Sequence, residues 1–335
     1  MRLFWLLFIA VTLLGGAEMK IATYNVENLF DTQDDGNEYE EYIPNTAWGW
    51  DETMYRTKLR HSAQVIRDIG ADIIGLEEIE SETALKDLKA EINRQGLYYP
   101  YYAYSRSKNT TVSVAMLSRY PIQSVLNHPI SASREFRDIM EVKVTVEGKA
   151  LRIFVNHWKS KSGPESMRIQ SARVLAKRIS LLDSSEPFII LGDLNSHYEE
   201  YRTFLKSRRH NDTDGITGIN HILKTVDENH NPATYPSLQS NSGTLYNLWY
   251  DLPEEERWSH QYRHHTEALD HIIISPALAD GKGIEYIKGS MRRFAPEYLF
   301  QNGKIYRWQQ SRKYPKHHLG EGYSDHLPIY AQFRL

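Results

Sequence analysis

Polar residues of the kinds that bind cations and move protons recur along this chain of 335 residues. In chain order they are Asn25 and Glu27, Glu77 and Glu78, His157, Asp193 and Asn195, Asp270 and His271, and Asp325 and His326. Carboxylate and amide oxygens are good ligands for hard cations such as Mg²⁺, Mn²⁺ or Ca²⁺. A closed zinc site would need more histidine or cysteine close in sequence. The residue types therefore indicate metal-assisted hydrolysis.

Segments that are typical of buried β-strands lie beside these polar residues. The predicted strands cover residues 20–25, 71–76, 112–117, 140–146, 151–155, 188–191, 269–274 and 327–333. Ligand sites in α/β sheets lie where strands end and loops begin. We therefore expect the polar residues to converge on one site.

Helices and a hairpin complete the predicted pattern. Apolar residues at helical spacing predict helices over residues 54–69 and 166–182. Apolar and polar residues alternate over residues 140–146 and again over 151–155, with a turn at Glu147-Gly148, which predicts a hairpin. A hairpin beside strand–helix–strand crossovers favours mixed sheets in one α/β domain. Residues 31–52, which are acidic, and residues 292–318, which are basic, are expected to be loops.

The composition limits the classes of function. A formal net charge of −3 excludes nucleic-acid binding by bulk positive charge, so phosphate affinity must come from a local patch or a cation. The absence of cysteine excludes disulfides, thiolate catalysis, Cys-ligated zinc and a lipoprotein anchor.

The N-terminal segment, residues 1–17, has the features of a signal peptide. Arg2 supplies positive charge, residues 3–14 are apolar, and residues 15–17 are small enough for cleavage. The apolar stretch is short for a membrane span, and an uncleaved anchor is the alternative. We therefore expect a secreted or periplasmic protein without a stable membrane anchor, whose folded domain covers residues 18–335.

Six motifs that follow one another along residues 19–335 allow a comparison with a known family. The motifs are TYNVENLF (23–30), GLEEIE (75–80), NHWKSK (156–161), LGDLN (191–195), LDHIIIS (269–275) and YSDHLPI (323–329). This series resembles the endonuclease/exonuclease/phosphatase superfamily, which includes DNase I-like nucleases, sphingomyelinases and inositol phosphatases. The resemblance implies an α/β (α+β) fold, a four-layer α/β sandwich of two mixed β-sheets flanked by helices.

The resemblance also implies roles for the residues that match the motifs. Asn25, Glu78 and Asp325 would form the metal site, with water positioning as the alternative role of Asp325. Mg²⁺ is the expected cofactor, and Mn²⁺ or Ca²⁺ are alternatives. Glu27 stands where many members have aspartate. Either Asp193 or His326 would polarise the attacking water, and Asp193 with Asn195 would position it. The remaining implied roles are phosphate contact by His326, orientation of His326 by Asp270, and either phosphate binding or acid catalysis by His157.

One departure from the family pattern concerns His157. In DNase I-like members the equivalent histidine has a carboxylate partner from an earlier loop. Residues 105–113 offer hydroxyls and Asn109 but no acid. Lys159, Ser160 and Arg168 are candidate phosphate contacts, with a solvated surface as the alternative.

Three functions compete on the sequence evidence. The leading one is an exported nuclease acting on DNA, RNA or both, because residues 156–168 and 245–275 resemble bacterial extracellular nucleases. A phosphoesterase for phospholipid head groups or inositol phosphates is the second, and a non-catalytic binding domain the third. A nucleic-acid substrate and a monomeric protein are expected. The basic residues 292–318 are either a substrate patch or a solvated surface, and the acidic group at Asp31, Asp34 and Asp35 is expected to be surface.

Overall fold

The computed structural model describes residues 17–105, 110–240 and 243–335. Within these ranges, no helix has both the length and the apolar character needed to cross a bilayer. Residues 1–16 of the predicted signal peptide and Asn109 lie outside the described residues.

Most of the described secondary structure is β-strand. The strands are β1 (Glu18–Leu29), β2 (Ile73–Ile79), β3 (Tyr101–Tyr104), β4 (Ser113–Ser118), β5 (Ile122–His128), β6 (Ile139–Val146), β7 (Lys149–His157), β8 (Phe188–Asp193), β9 (Tyr246–Asn247), β10 (His260–Tyr262), β11 (His265–Glu267), β12 (Asp270–Ile274), β13 (Glu285–Tyr286), β14 (Arg292–Arg293), β15 (Phe300–Gln301), β16 (Lys304–Ile305) and β17 (Ile329–Arg334). The α-helices are α1 (Glu52–Ile69), α2 (Glu82–Arg94), α3 (Glu165–Ile179), α4 (Glu200–Thr203) and α5 (Tyr235–Gln239).

The longer strands form two mixed sheets in the described part of the chain. The first sheet has the order β13–β17–β1–β2–β4–β3, with β14 also paired to β17. The second has the order β5–β6–β7–β8–β12–β9. Parallel pairing joins β1 to β2 and β7 to β8, while the neighbouring pairs are antiparallel. In the first sheet β1 therefore lies between β2 and β17, which come from distant parts of the chain.

The two sheets pack face to face and the long helices cover their outer faces. Ile73 points between the sheets, whereas the adjacent Ile74 packs toward α1 and α2. Because successive residues of such a strand face different apolar layers, a strand that is buried on both faces has a continuous apolar sequence. On the other side of the sandwich, Ala172 and Leu175 of α3 pack against the second sheet. The four layers confirm the predicted α/β sandwich.

Gly75 marks the closest approach of the two sheets. A side-chain carbon placed at this position would lie 2.2 Å from Cδ1 of Leu191 and 3.3 Å from Cγ1 of Val155. Both of those residues belong to the second sheet. The absence of a side chain at Gly75 thus allows β2 to approach β7 and β8, two and three residues before Glu77 and Glu78 of the same strand.

Helix α1 shows how local sequence sets an element's ends. The carboxylate of Asp51 accepts a hydrogen bond from the backbone N–H of Met54, which caps the first turn. Gly70 ends the helix with φ of 60°, a conformation that glycine adopts without strain. The predicted helix over residues 54–69 is therefore confirmed, with two more residues at its start.

Several elements were not predicted from the sequence. They are α2, α4, α5, β3, β5, β10 and β11, together with the two-residue strands. Strand β5 lies at a sheet edge and its residues are largely exposed, so it lacks the apolar alternation that signals a strand. The expected loops are confirmed in outline, because residues 31–51 contain one short 3₁₀ turn and residues 292–318 only short turns and two-residue strands.

Candidate active site

Strand pairing brings the predicted polar residues to one end of the sandwich. In the second sheet His157 lies beside Asp193 across the β7–β8 pair, and Asp193 lies opposite Asp270 across the β8–β12 pair. In the first sheet Asn25 lies beside Glu77, directly before Glu78. The polar residues therefore meet where both sheets end, as the sequence predicts.

Asn25 joins the two sheets at this end. Its side-chain nitrogen donates to Oε1 of Glu78 and to Oδ2 of Asp193, with both donor–acceptor distances 3.1 Å. Its side-chain oxygen accepts the backbone N–H of Glu27 at 3.0 Å. In this orientation the amide nitrogen of Asn25 positions the two carboxylates. Its oxygen would face a cation only if the side-chain amide rotated to exchange the positions of its nitrogen and oxygen.

The backbone around the site adopts conformations that residues other than glycine rarely take. Positive φ angles of 54°, 59°, 65° and 48° occur at Glu27, Asn28, Glu78 and Asn195. Left-handed backbone at a residue other than glycine costs on the order of 1–3 kcal/mol and is concentrated at functional sites. One result is that the N–H of Asn28 donates to Oε2 of Glu78 at 2.9 Å. The strain therefore orients the carboxylate of Glu78.

His326 is held by a buried carboxylate. Its Nδ1 lies 2.8 Å from Oδ2 of Asp270, which also accepts a hydrogen bond from the hydroxyl of Ser259 at 2.6 Å. Its Nε2 points toward the other carboxylates, at 3.9 Å from both Asp193 and Asp325. Burial opposes the charged form, but the surrounding carboxylates, Asp270 above all, raise the pKa of His326 well above its ordinary value. The surroundings of His326 therefore favour the protonated imidazole.

The surroundings of Asp193 favour its neutral form, whereas those of His326 favour its charged form. Burial raises the pKa of Asp193 to about 7, with His326 opposing the shift and Asp270 adding to it. Its Oδ1 accepts the backbone N–H of Asn195 at 2.8 Å. A carboxylate whose pKa lies near neutrality is suited to accept a proton at physiological pH.

His157 is buried and neutral. Burial, followed by the positive charges of Arg137 and His326, lowers the pKa of His157 well below its ordinary value. Its Nε2 lies 3.6 Å from Oδ2 of Asp193 and 3.8 Å from Oε1 of Glu78. Among the described residues its Nδ1 has no hydrogen-bond partner. This geometry suits hydrogen bonding in the neutral state better than acid catalysis.

Arg307 is a site residue that the sequence analysis did not identify. Its Nε donates to Oε1 of Glu27 at 2.9 Å, and its guanidinium lies 3.2 Å from Oδ2 of Asp325. Burial alone would raise the pKa of Asp325, but His326 and Arg307 lower it. Asp325, which was expected at the metal, therefore faces cationic side chains in this structure.

Two further residues, Ser259 and His260, were also missed. Ser259 supports Asp270, and the ring of His260 lies 4.6 Å from that of His326, measured between centroids. Neither residue lies in one of the recognised motifs. They lie eleven and ten residues before Asp270, but an isolated serine and histidine carry no spacing pattern that could have identified them.

The three expected phosphate contacts have different surroundings. Ser160 faces the cleft, and its hydroxyl lies 2.6 Å from that of Ser162. Lys159 is paired with Glu135. Arg168 is fully buried, where it pairs with Glu165 and donates to carbonyls of the preceding loop. The prediction that Arg168 contacts the phosphate directly is therefore wrong. Arg168 instead supports the loop.

An open cleft of about 770 Å³ lies over the converged residues. The predicted residues that line it are Glu78, His157, Ser160, Asp193, Asn195 and His326. Tyr39, Arg137, Arg209 and His210 line it as well, so cationic side chains face the same space as the carboxylates. Asn25 and Asp270 are buried behind these residues and position them.

The donor set fits a hard divalent cation. Glu78 and Asp193 are carboxylates drawn together by Asn25, and the described site offers no thiolate. Asp193, Asp270 and His326 also have ligand atoms within 4.8 Å of one another. We assign His326 and Asp270 to a hydrogen-bonded pair, because a cation between them would break their 2.8 Å contact. Glu78 is then the main candidate ligand, with Asp193 beside it.

The acidic segment that begins at Asp31 is more ordered than expected. Asp31 is buried and accepts hydrogen bonds from Ser81 and from the backbone of Gln33, which corrects its assignment to the surface. Asp35, Glu38 and Glu80 could approach a common ion. However, Glu38 already accepts the N–H groups of Asp35 and Asn37, so this group is explained by the turn.

The fold and the site define a class of protein, the phosphoester hydrolases of the DNase I-like type. The model of the endonuclease/exonuclease/phosphatase family matches residues 20–334, and the chain belongs to this family. Enzymes of this family generally use divalent metals. No curated protein sequence matches the chain.

Solved structures show the same fold at low sequence identity. TDP2 from D. rerio, in complex with a single-strand DNA product, is 14% identical, with 95% of this chain and 100% of that chain covered and a TM-score of 0.57. A mannosyl-6-phosphatase from Bacteroides thetaiotaomicron is 15% identical, with 95% and 100% covered and a TM-score of 0.55. At these identities the similarity establishes the shared architecture.

Proposed function

We propose that this protein is a divalent-metal-dependent phosphodiesterase that hydrolyses nucleic acid, with Mg²⁺ as its cofactor. The observation that carries the proposal is the convergence of Glu78, Asp193, His157 and His326 on one open cleft. A basic carboxylate, a protonated imidazole and a ligand for a cation are the groups that phosphodiester hydrolysis requires.

Each residue has a role that follows from its charge and contacts. Asp193, whose pKa is about 7, accepts a proton from the attacking water. His326, held protonated by Asp270, donates its Nε2–H to a phosphoryl oxygen and stabilises the negative charge of the transition state. Neutral His157 donates a hydrogen bond to the phosphate. Glu78 would hold the cation, which would supply further charge neutralisation.

Nucleic acid is the favoured substrate for two reasons. The cleft is open and is lined by Arg137 and Arg209 as well as by the catalytic groups, which suits a polyanionic chain passing over the site. In addition, the D. rerio TDP2 structure of the same fold contains single-strand DNA product.

Sugar phosphates are a second candidate class, together with other small phosphate esters. The similarity to the mannosyl-6-phosphatase has nearly the same TM-score and coverage as the similarity to TDP2. A phosphomonoesterase would use the same carboxylates and imidazoles. The two functions differ in whether the enzyme cleaves a phosphate linked on both sides.

We also propose export of the protein, which rests on the sequence of residues 1–17. Cleavage after the small residues at 15–17 would leave the first strand intact, since β1 begins at Glu18. Cell fractionation with N-terminal sequencing tests this: recovery of the protein only from the cytoplasm would contradict export, and an intact Met1 on exported protein would contradict cleavage.

The purified protein is expected to cleave oligonucleotides in Mg²⁺ and to lose that activity in EDTA. Supercoiled plasmid, single-stranded RNA, single-stranded DNA and mannose 6-phosphate form the substrate panel, and gel mobility or released phosphate is measured. The His326→Ala variant is the control for a contaminating nuclease, because it removes the transition-state donor. Release of phosphate from the sugar ester without cleavage of any polynucleotide would overturn the assignment in favour of the second candidate.

The Asp270→Asn variant is expected to narrow the pH range of activity. Because Asp270 raises the pKa of His326, loss of its charge lowers that pKa, and the protonated imidazole is lost at a lower pH. The alkaline limb of the kcat/KM profile should move down by about one pH unit or more, since one unit corresponds to about 1.4 kcal/mol of interaction. Ser259→Ala keeps the charge and should move the limb less. An unchanged limb in Asp270→Asn would show that His326 does not act as the protonated group.

A further inference from the structure

A short hairpin forms part of the rim of the cleft. Its strands β10 and β11 pair with Tyr262 opposite His265, and Arg263 and His264 form the turn between them. Arg263 has φ of 56°, which closes the turn tightly. Tyr262 and Glu267 both line the cleft. The hairpin thus carries side chains into the space above the catalytic groups.

The base of the hairpin is fixed to the catalytic end of the sandwich. His260 forms an isolated β-bridge with His326, and their rings are in contact. The side-chain oxygen of Gln261 accepts the backbone N–H of Ile305 at 3.0 Å. On the other strand, Glu267 pairs with Lys161. Three independent attachments therefore hold the hairpin in a set position relative to His326.

Tyr262 exposes a large aromatic surface at this rim. The residue is 55% exposed, and the guanidinium of Arg263 lies 5.3 Å from the centre of its ring. Because alternate residues of a strand point to the same face, Tyr262 lies on the face of His260, about 7 Å farther along. An aromatic ring and a cation thus stand two and three residues along the chain from His260, whose ring contacts that of His326.

We propose that Tyr262 and Arg263 form a stacking platform for a nucleotide base next to the scissile phosphate, which makes single-stranded nucleic acid the preferred substrate. This inference rests on the proposed function and specifies its substrate class. An aromatic side chain can stack on any base, but only where the face of the base is not covered by neighbours in a duplex. Arg263 adds positive charge for the adjacent phosphate.

The test compares single-stranded oligonucleotides that carry bases with oligonucleotides of the same length whose residues are abasic. Tyr262→Ala is expected to raise KM for the base-bearing substrate about tenfold, the loss expected for one stacked base. Its KM for the abasic substrate should not change, because no base is present to stack. Tyr262→Phe keeps the ring and should retain the wild-type KM on both substrates.

Tyr98→Ala is the matched control. Tyr98 is 58% exposed and Lys89 Nζ lies 6.0 Å from its ring centre, but it does not line the cleft. Equal KM values for Tyr262→Ala and wild type on the base-bearing substrate would overturn the platform and leave the nuclease assignment intact. Failure of the wild type to cleave any oligonucleotide would overturn both. Faster wild-type cleavage of duplex than of single strands would also contradict the proposal.

Discussion

Replacing Asp193 with asparagine is expected to lower kcat about 1,000-fold, within the range of general base catalysis. The substitution keeps the size of the side chain and an oxygen for the N–H of Asn195, but it removes the group that accepts the proton. Single-turnover cleavage of an oligonucleotide at pH 8 measures the effect. A reduction of less than tenfold would show that another group activates the water, and His326 would then be the alternative.

Thermal stability separates a catalytic role of Asp193 from a structural one. The pKa of Asp193 is raised in the folded state, so its ionisation costs stability as the pH increases from about 4 to about 7. The neutral asparagine avoids this cost but loses the hydrogen bond that Oδ2 of Asp193 accepts from Asn25, so in EDTA at pH 8 the Tm of Asp193→Asn should stay close to that of the wild type. Asp227→Asn is the matched control, because Asp227 accepts the N–H of Asn229 at 2.8 Å just as Asp193 accepts that of Asn195. This control should keep full activity.

The second large effect is expected for Glu78→Gln. A cation that stabilises transition-state charge contributes several kcal/mol, so loss of its main ligand should lower kcat about 1,000-fold at ordinary Mg²⁺ concentrations. The affinity for Mg²⁺, measured by titration calorimetry without substrate, should fall at least about tenfold. The neutral amide still accepts the N–H of Asn28, so the backbone at this turn should be preserved.

Glu38→Gln tests whether the cation binds at Glu78 or at the acidic group of Asp35, Glu38 and Glu80. Glu38 also accepts backbone N–H groups, and it belongs to the acidic group with Asp35 and Glu80. Glu38→Gln should leave both kcat and Mg²⁺ affinity unchanged. Loss of Mg²⁺ binding in Glu38→Gln and its retention in Glu78→Gln would move the metal site to that group.

The strand pattern predicted mixed sheets in one domain because the central strands are buried on both faces, whereas the four-layer sandwich was implied by the resemblance to the family. Such strands appear as uninterrupted apolar runs, and the polar residues that end them mark the edge where a site forms. Ser81 and the apolar Leu85, Leu88 and Ile92 also signal helix α2, which was overlooked although its cap and spacing are regular. Strand β5 had no such signal, because its edge position leaves most of its residues exposed.

The sequence predicted part of the candidate site's membership but not the contacts among its residues. Residue type identified Asn25 as a polar site residue, but it did not reveal that the nitrogen faces Glu78 and Asp193. The contact of Arg307 with Glu27 spans 280 positions, and no local spacing encodes such a pair. The side chain of Arg168 is of a type that binds phosphate, yet it is buried and donates to a carbonyl of the loop that precedes α3. Composition suggests the chemistry, whereas tertiary contacts decide which atom performs it.

The position of β1 between β2 and β17 has a consequence during translation. Thr23 pairs with Ile329, so the strand that leads into Asn25 gains its second neighbour only after residues 329–334 have been synthesised. A nascent chain that already contains Asn25, Glu78 and Asp193 still lacks His326 and this strand. The pairing that fixes β1 is therefore complete only once β17 has been synthesised, and the proposed site cannot assemble on a nascent chain that lacks this strand.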